Sequence, residues 1–210
     1  MEKRLVSIAT MGNREDLLAG ALACLKEKGW ARTTVRDIAA AAGVNHAAIG
    51  YHFGSRDALL IEAFSRAMEE WGQRIQEATL AALDSAADPR QRYEAFWRHT
   101  IASYSENRQL WLASIEAGVE AERSPRVREL MTHALREGRS GLAAGLLGVP
   151  EEAVDDRAVR TIGALQMALM SGVLMQWTLD PEHAPTERDI AEGLLALADR
   201  LGEGRKPLSQ

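Results

Sequence analysis

Residues Thr33–Phe53 have the sequence TTVRDIAAAAGVNHAAIGYHF, in which two short apolar patterns of helical spacing are separated by a glycine. Thr34 precedes the first pattern and Asn45 precedes the second, and both residue types cap the N-termini of helices. Gly43 stands between the patterns, where a tight turn favours a residue that adopts positive φ. The segment therefore predicts a helix, a short turn and a second helix, which is the helix-turn-helix arrangement.

The second predicted helix begins with small and polar residues, as a helix must if its N-terminal end is to approach base edges in the major groove of DNA. Asn45 and His46 carry groups that hydrogen-bond to base edges. Ala47 and Ala48 are small enough to contact a thymine methyl group without blocking the approach. This pattern favours a DNA-recognition helix.

Candidate phosphate contacts follow in the sequence. Tyr51 and His52 carry groups that donate hydrogen bonds to phosphate oxygens. Ser55 is placed to cap the next helix, whose first amide groups would form an anion site together with Arg56. Helix capping alone accounts for the serine without DNA, but it does not account for a helix with an apolar inner face and polar groups outside.

A motif of many positions in order runs through Gly29, Thr33–Ala39, Ala42–Val44, Ile49, Tyr51–Phe53 and Ser55–Leu60. This segment, about residues 13–62 and under a third of the chain, resembles the DNA-binding domain of TetR-family transcriptional regulators. Gly50 departs from the pattern, because many members of the family carry an aromatic residue there. The expected DNA-binding residues are Thr33, Thr34, Arg36, Asn45, His46, Ala47, Ala48, Tyr51, His52, Ser55 and Arg56.

Charge is divided unevenly along the chain. The 210 residues carry a formal net charge of −5, which by itself does not suggest a partner as acidic as DNA. Residues 1–57, however, contain eight Lys and Arg against six Asp and Glu, whereas the remainder contains seventeen against twenty-four. We therefore predict a mildly basic DNA-binding domain at residues 1–57 and an acidic second domain at residues 58–210.

Apolar residues recur at helical spacing along nearly the whole sequence, and no sustained alternation of β-branched residues is present. Glycines and prolines, such as Gly29 and Pro89, divide this pattern into segments. Residues 1–12 and 202–210 are expected to be loosely ordered ends. The prediction is an all-α protein of about nine helices, at residues 13–28, 34–41, 45–51, 55–83, 89–105, 107–121, 124–147, 151–179 and 186–202.

Residues 161–179 contain no charged side chain, so a helix there must bury all of its faces. A membrane span is one solution, but Gln166, Ser171 and Gln176 favour packing against a second subunit. Two such helices from each subunit would form a four-helix interface, and a homodimer would match the two half-sites of a palindromic operator. The expected interface residues are Ala164, Ala168, Gly172, Ile190, Leu194, Leu197 and Leu201.

The resemblance implies that the larger domain senses a ligand, and its aromatic and methionine residues suggest where. Aromatic rings supply contact area and methionines adapt to irregular shapes, so both line binding pockets. The same pattern is typical of an ordinary hydrophobic core, and both interpretations stay open. Glu116 is a further polar group that could orient a ligand. The candidate pocket residues are Trp97, Ile101, Tyr104, Trp111, Ile115, Met131, Gln166, Met167 and Met170.

We find no set of residues suited to catalysis. Glu116 and Glu120 share a helix face but have no histidine at ligand spacing, and Cys24 lies among apolar residues. We therefore expect no enzyme activity, no metal site and no cofactor. A single cysteine and the absence of a recognisable leader predict a cytoplasmic protein without disulfides.

The resulting hypothesis is a homodimeric DNA-binding regulator, a repressor released from a palindromic operator by a small apolar or amphipathic molecule. The long helix at residues 55–83 would join the two domains and act as a lever. The alternatives are a helical DNA-binding dimer that protein partners regulate or that no ligand regulates, and, more remotely, a helical enzyme.

Overall fold

Helices account for nearly all of the chain that the computed structural model describes, which is residues 2–81 and 88–202, with side chains described for residues 13–78 and 88–202. No β-strand is found within these ranges. The nine helices are α1 (Glu2–Lys28), α2 (Val35–Ala42), α3 (Ala47–Phe53), α4 (Arg56–Ala81), α5 (Pro89–Glu106), α6 (Arg108–Ala121), α7 (Pro125–Leu147), α8 (Asp156–Leu179) and α9 (Glu187–Gly202).

The predicted all-α fold is confirmed, and two helix starts differ from the expectation by more than two residues. Helix α1 begins at Glu2 rather than near residue 13, since no proline interrupts residues 2–12. Helix α8 begins later than expected, because Glu151–Ala153 forms a separate 3₁₀ turn. Asp155 then caps α8, its Oδ1 accepting from the Ala158 N–H at 2.7 Å. The predicted loose end after residue 202 lies outside the described residues.

The turn chemistry predicted around α2 is present in the structure. The Thr34 hydroxyl accepts from the Asp37 N–H at 3.1 Å, and the Asp37 carboxylate accepts from the Thr34 N–H at 2.8 Å, which forms a capping box. The Lys28 ammonium donates to Asp37 at 2.6 Å, and this bond, with those from Thr34, holds the pKa of Asp37 well below its usual range. Gly43 ends the helix at φ 66°, in the left-handed region.

The first hydrophobic core joins the three N-terminal helices and the start of α4 to α6 and α7. The predicted domain boundary after residue 57 lies inside α4, whereas this core reaches residues more than fifty positions further along the chain. Helix α6 is therefore a structural part of the N-terminal half. The buried side chains of this core include Leu17, Leu25, Ile38, Ile49, Leu59 and Leu60, together with Leu110, Ala113 and Ala117 of α6 and Val127 of α7.

The second hydrophobic core is formed by the later part of α4 and by α5, α6, α8 and α9. It is rich in aromatic side chains, in contrast to the first core. Helix α6 contributes to both cores, because Trp111 faces this one while the neighbouring Leu110 faces the first. The buried residues are Trp71, Ile75, Trp97, Ile101, Tyr104, Trp111, Met170, Val173, Leu174 and Ile190.

Helices α7 and α8 approach each other closely at Gly163. A Cβ atom added there would overlap the backbone carbonyl of Arg139 in α7. Gly163 ends a π-helical turn, Val159–Gly163, within α8. The close approach inside the subunit thus depends on this glycine. By contrast, Gly172, which was predicted to permit close helix packing, faces open space in the single chain.

Replacing Gly163 by alanine is expected to destabilise the fold by about 2–3 kcal/mol, because a backbone carbonyl cannot move aside without separating the two helices. The backbone at this position has φ −63°, so the loss would come from lack of space rather than from strain. Urea unfolding at one fixed protein concentration measures the change.

The matched control for this substitution is Gly145→Ala, in the neighbouring helix α7. A Cβ atom at Gly145 meets nothing within 4 Å, so this variant is expected to gain about 0.5–1 kcal/mol from helix propensity. Equal stability of the two variants would contradict the proposed close contact between α7 and α8.

Candidate nucleic-acid interface and effector site

The exposed face of α3 carries the residues predicted to meet DNA bases. His46 and Ala47 are exposed, whereas Ile49 is buried in the first core and anchors the helix. The Asn45 Oδ1 accepts from the Ala47 N–H at 2.9 Å, so its amide group is left to donate outward. His46 occupies the N-cap position without a capping hydrogen bond from its side chain. The N-terminal end of α3 therefore presents hydrogen-bonding groups to solvent.

The far end of α3 presents an aromatic hydroxyl. Tyr51 is 79% exposed. Among the large apolar and aromatic side chains of the described residues, only Leu201, at 80%, is more exposed. The half-buried His52 ring packs edge-on against Tyr51, with centroids 4.9 Å apart. Next to them, the Arg14 guanidinium lies 5.1 Å from the centroid of Phe53. Tyr51 is thus held on a supported helix end while its hydroxyl remains accessible.

Two predicted DNA-binding residues are engaged inside the protein. Thr33 is fully buried and its hydroxyl donates to the Gly29 carbonyl at 2.6 Å. The Arg56 guanidinium donates to the Thr33 carbonyl at 3.0 Å and to Asp57 Oδ1 at 2.6 Å. These bonds connect the turn between α1 and α2 to the start of α4.

The remaining predicted DNA-binding residues stand at or within the first turn of a helix. Ser55 caps α4, its Oγ accepting from the Ala58 N–H at 3.1 Å, as expected. Ala48 is half-buried and packs against the first core. Thr34 and Arg36 are exposed, and within the described ranges no ion pair is formed by Arg36.

Five aromatic residues, Trp71, Tyr93, Trp97, Tyr104 and Trp111, form what we call the aromatic cluster. The Trp111 ring packs edge-on between those of Trp71 and Tyr104, with centroids 5.2 Å away in both cases. The Tyr93 and Trp97 rings pack edge-on at 6.3 Å. Edge-to-face packing of this kind is favourable beyond the burial of apolar area. The cluster joins α4, α5 and α6.

Several polar groups of the aromatic cluster are paired inside the protein. The Tyr104 hydroxyl donates to the Met170 carbonyl at 3.0 Å, and the Trp111 indole N–H donates to the Ser103 carbonyl at 3.1 Å. The Tyr93 hydroxyl donates to Gln166 Oε1 at 2.9 Å. Burial raises the pKa of both Tyr93 and Tyr104, so both phenols stay protonated and act as donors.

The structure brings most of the candidate pocket residues together. Trp97, Ile101, Tyr104, Trp111 and Met170 are buried in the second core, Ile115 packs against it, and Gln166 joins it through Tyr93. Two candidates lie elsewhere. Met131 packs against the first core, and the Met167 methyl group lies over Gly138 of α7.

Sequence reasoning did not include Trp71 and Tyr93 in the pocket. Both belong to helical apolar patterns of the sequence, and Tyr93 precedes Trp97 by one helical turn, so this spacing was the available signal. Beside Trp71 and Trp111 the structure leaves a cleft of about 30 Å³. The cleft is also lined by Leu22, Lys26, Ala67, Met68, Glu70, Arg74, Asn107 and Leu110.

Glu116 has a different environment from the one suggested by the sequence. Its carboxylate accepts from the Ala31 N–H at 3.0 Å, so it faces the turn between α1 and α2. Gly29, in the same turn, has φ 78°, and a Cβ atom there would lie 2.5 Å from Gln109 Nε2. Two side chains of α6 therefore contact the backbone of the helix-turn-helix half.

Helices α8 and α9 expose much apolar surface. Among the described residues, Asp156–Leu179 is long and apolar enough to cross a membrane, judged by length and composition, and 28% of its most apolar window is buried. Of the predicted interface residues, Ile190 is buried in the second core and Ala164 and Leu194 are partly buried, whereas Ala168, Gly172, Leu197 and Leu201 are exposed.

Comparison with known families accounts for most of the chain. Residues 17–63 match the model of bacterial regulatory proteins of the tetR family. Residues 89–201 match the model of the C-terminal region of BetI-type transcriptional repressors.

Individual relatives are also transcriptional regulators. The transcriptional regulator BetI of Rhizobium meliloti strain 1021 is 32% identical over 181 residues, which cover 85% of this chain and 84% of that protein. The nicotine-responsive transcriptional repressor HdnoR of Paenarthrobacter nicotinovorans is 23% identical, covering 93% and 98%. A crystal structure of a transcriptional regulator from Rhodococcus sp. Rha1 has the same fold, with a TM-score of 0.57 at 23% identity over 88% of this chain and 96% of that one.

The family and these relatives are transcriptional regulators rather than enzymes. The chain belongs to the TetR family of bacterial transcriptional regulators, and its C-terminal half is of the BetI type.

Proposed function

We propose that this chain is a cytoplasmic, homodimeric repressor that binds a palindromic operator and is released from it by a small apolar or amphipathic effector. Residues 1–57 would form the DNA-binding domain, and residues 58–210 would bind the effector and the second subunit. The observation that carries the proposal is α3, which is anchored by the buried Ile49 and presents His46 and Tyr51 to solvent.

For DNA binding, the N-terminal end of α3 would enter the major groove. Asn45, His46, Ala47 and Ala48 would face base edges there, because they stand at or before the first turn of the helix. Tyr51, Thr34, Arg36, His52 and the Ser55 end of α4 would face phosphates. The internal hydrogen bonds of Thr33 and Arg56 support a different contribution, which is to hold the turn between α1 and α2 in place.

For dimerisation, the exposed apolar residues of α8 and α9 support a shared four-helix interface. Leu165 is 57% exposed and Leu197 is 62% exposed in the single chain. Ala168 and Gly172 lie exposed on α8, where small side chains permit close packing against a second copy. Burying this surface in a dimer would remove it from water, and two subunits would present two recognition helices to two half-sites.

For the response to an effector, α6 supports a transmission path. Trp111 packs in the aromatic cluster, while Leu110 belongs to the first core and Glu116 holds the Ala31 amide. An effector that opens the cluster would displace α6 and, with it, the turn that precedes α2. An effector that binds the displaced state about 100-fold more tightly than the other state supplies roughly 2.7 kcal/mol of coupling free energy. The relative described as nicotine-responsive supports regulation by a small molecule.

Replacing His46 by alanine is expected to relax sequence preference at one base pair of each half-site by about 1–3 kcal/mol.

Replacing Tyr51 by phenylalanine is expected to weaken binding to all operator variants alike, because a phosphate contact carries no sequence information. Selection from a random DNA library, followed by fluorescence anisotropy titrations, measures both effects. An unchanged selected sequence for His46→Ala would remove His46 from base recognition.

Replacing Leu197 by glutamate is expected to convert the dimer to a 23.0 kDa monomer in sedimentation experiments, because charge would be buried at the interface. Operator affinity is expected to fall by at least about 100-fold, since a monomer binds one half-site without a linked subunit on the other. Val119→Glu is the matched control, since Val119 is 56% exposed on α6. A Leu197→Glu dimer would contradict the proposed interface.

Replacing Glu116 by alanine is expected to interrupt transmission through α6. We predict that Trp111→Ala alters operator affinity in the parent chain, and that the two substitutions combine non-additively by about 1 kcal/mol or more. Glu120→Ala is the control, one helical turn further along α6, and its effect is expected to add to that of Trp111→Ala within about 0.5 kcal/mol. If the effects of Glu116→Ala and Trp111→Ala on operator affinity simply add, the transmission path does not run through Glu116.

A further inference from the structure

The aromatic cluster and its neighbour Gln166 contain both paired and unpaired buried hydrogen-bond donors. The hydroxyls of Tyr93 and Tyr104 and the indole of Trp111 have acceptors, as described above. The indole N–H groups of Trp71 and Trp97 and the Gln166 side-chain amide nitrogen have no partner within the described part of the chain. All three residues are more than nine-tenths buried.

Two of these donors lie at the same place between α5 and α8. The Gln166 carbonyl oxygen accepts from the Tyr93 hydroxyl, which fixes the orientation of the amide and leaves its NH₂ group unpaired. Trp97 follows Tyr93 by one helical turn, and its indole N–H lies near the Tyr93 hydroxyl without meeting the geometry of a hydrogen bond. The donors of Gln166 and Trp97 therefore both lie near the Tyr93 hydroxyl.

Unpaired buried donors are rare in folded proteins because each loses its hydrogen bonds to water without compensation. A binding site that will receive an acceptor from its ligand accounts for them. Buried water would account for them as well. The cleft of about 30 Å³ is lined by Trp71 and Trp111, so a water there could satisfy only the Trp71 indole, and neither Trp97 nor Gln166 lines the cleft. The two occupants can be distinguished, because only an effector acceptor makes ligand affinity depend on the ligand's oxygen atom.

The charges around the cluster favour an acceptor over an organic cation. The polar side-chain atoms of the cluster pair with carbonyl or amide oxygens, not with a carboxylate. Both tyrosines stay protonated, so neither supplies a negative charge. In the cleft beside Trp71, the cationic Lys26 and Arg74 face one carboxylate, that of Glu70. A cationic ligand would find ring faces but no excess of negative charge.

We propose that the effector carries a carbonyl or carboxylate oxygen that accepts hydrogen bonds from Gln166 Nε2 and Trp97 Nε1, while its apolar body packs against Trp71 and Trp111. This assignment rests on the proposed effector-binding function. Because the aromatic rings pack closely in this structure, entry of the effector displaces side chains of the cluster, including that of Trp111 on α6. Recognition of the oxygen and displacement of α6 are then consequences of one binding event.

The test is a titration of the full-length protein with a fragment library built of matched pairs. Members of a pair differ only in a carbonyl oxygen replaced by a methylene group, as in acetophenone and α-methylstyrene, and benzyltrimethylammonium represents the organic cations. Binding is followed by the indole N–H signals in NMR spectra, assigned with single Trp→Phe variants. We expect the carbonyl member to bind about tenfold more tightly than its partner and to shift the Trp97 indole proton downfield.

Gln166→Leu is expected to reduce this tenfold preference to about twofold or less, and Gln73→Leu, an exposed glutamine on α4, is expected to leave it unchanged. Trp97→Phe keeps a ring while removing a donor, and it provides the same comparison if Gln166→Leu does not fold. If the carbonyl preference is absent, or persists in both variants, buried water satisfies the donors and the inference is overturned.

The proposed function can fail separately from this inference. If no fragment of any class shifts an indole signal of the cluster, the effector site itself is wrong and the acceptor assignment falls with it. If fragments bind and alter operator affinity but the ammonium compound or the methylene member binds as tightly as the carbonyl member, the effector role stands and only the acceptor assignment fails.

Discussion

Helix α6 buries apolar side chains in two hydrophobic cores at once, and the relation between the two halves of the molecule depends on this. Leu110, Ala113 and Ala117 are buried in the core of the helix-turn-helix half, while Trp111 is buried among the aromatic residues of the other half. Full burial of a large apolar side chain contributes about 1.5–3 kcal/mol, so neither face of α6 separates from its core without a substantial cost. A displacement of α6 therefore requires both cores to adjust together.

The parts of the fold that follow from local rules were predictable from the sequence. The capping box of Thr34 and the left-handed turn at Gly43 depend on residues within a few positions of one another. The same holds for the helical periods, and hence for the all-α fold and for the group that contains Trp97, Tyr104 and Trp111. Such features are specified by residue type and spacing, without knowledge of the tertiary structure.

Features that depend on contacts between distant segments were not predictable in the same way. The burial of Thr33 and the bond from Ala31 to Glu116 join elements far apart in sequence, and periodicity does not show which neighbour a helix face meets. Met131 illustrates this, because its position on an apolar helix face is compatible with either core. The unpaired amide of Gln166 likewise follows only from the full set of its neighbours.

Because α6 belongs to both cores, it limits where this chain can be cut to join its DNA-binding half to another sensor. A chimera that joins residues 1–57 to an unrelated sensor would leave the Ala31 amide without the Glu116 carboxylate and would expose the side chains that Leu110 and Ala113 cover. The glycine at position 29, whose φ of 78° disfavours any side chain, adds a backbone requirement to the same junction. A transplantable DNA-binding unit from this protein therefore has to include the inner face of α6, although that helix lies about fifty residues further along the chain.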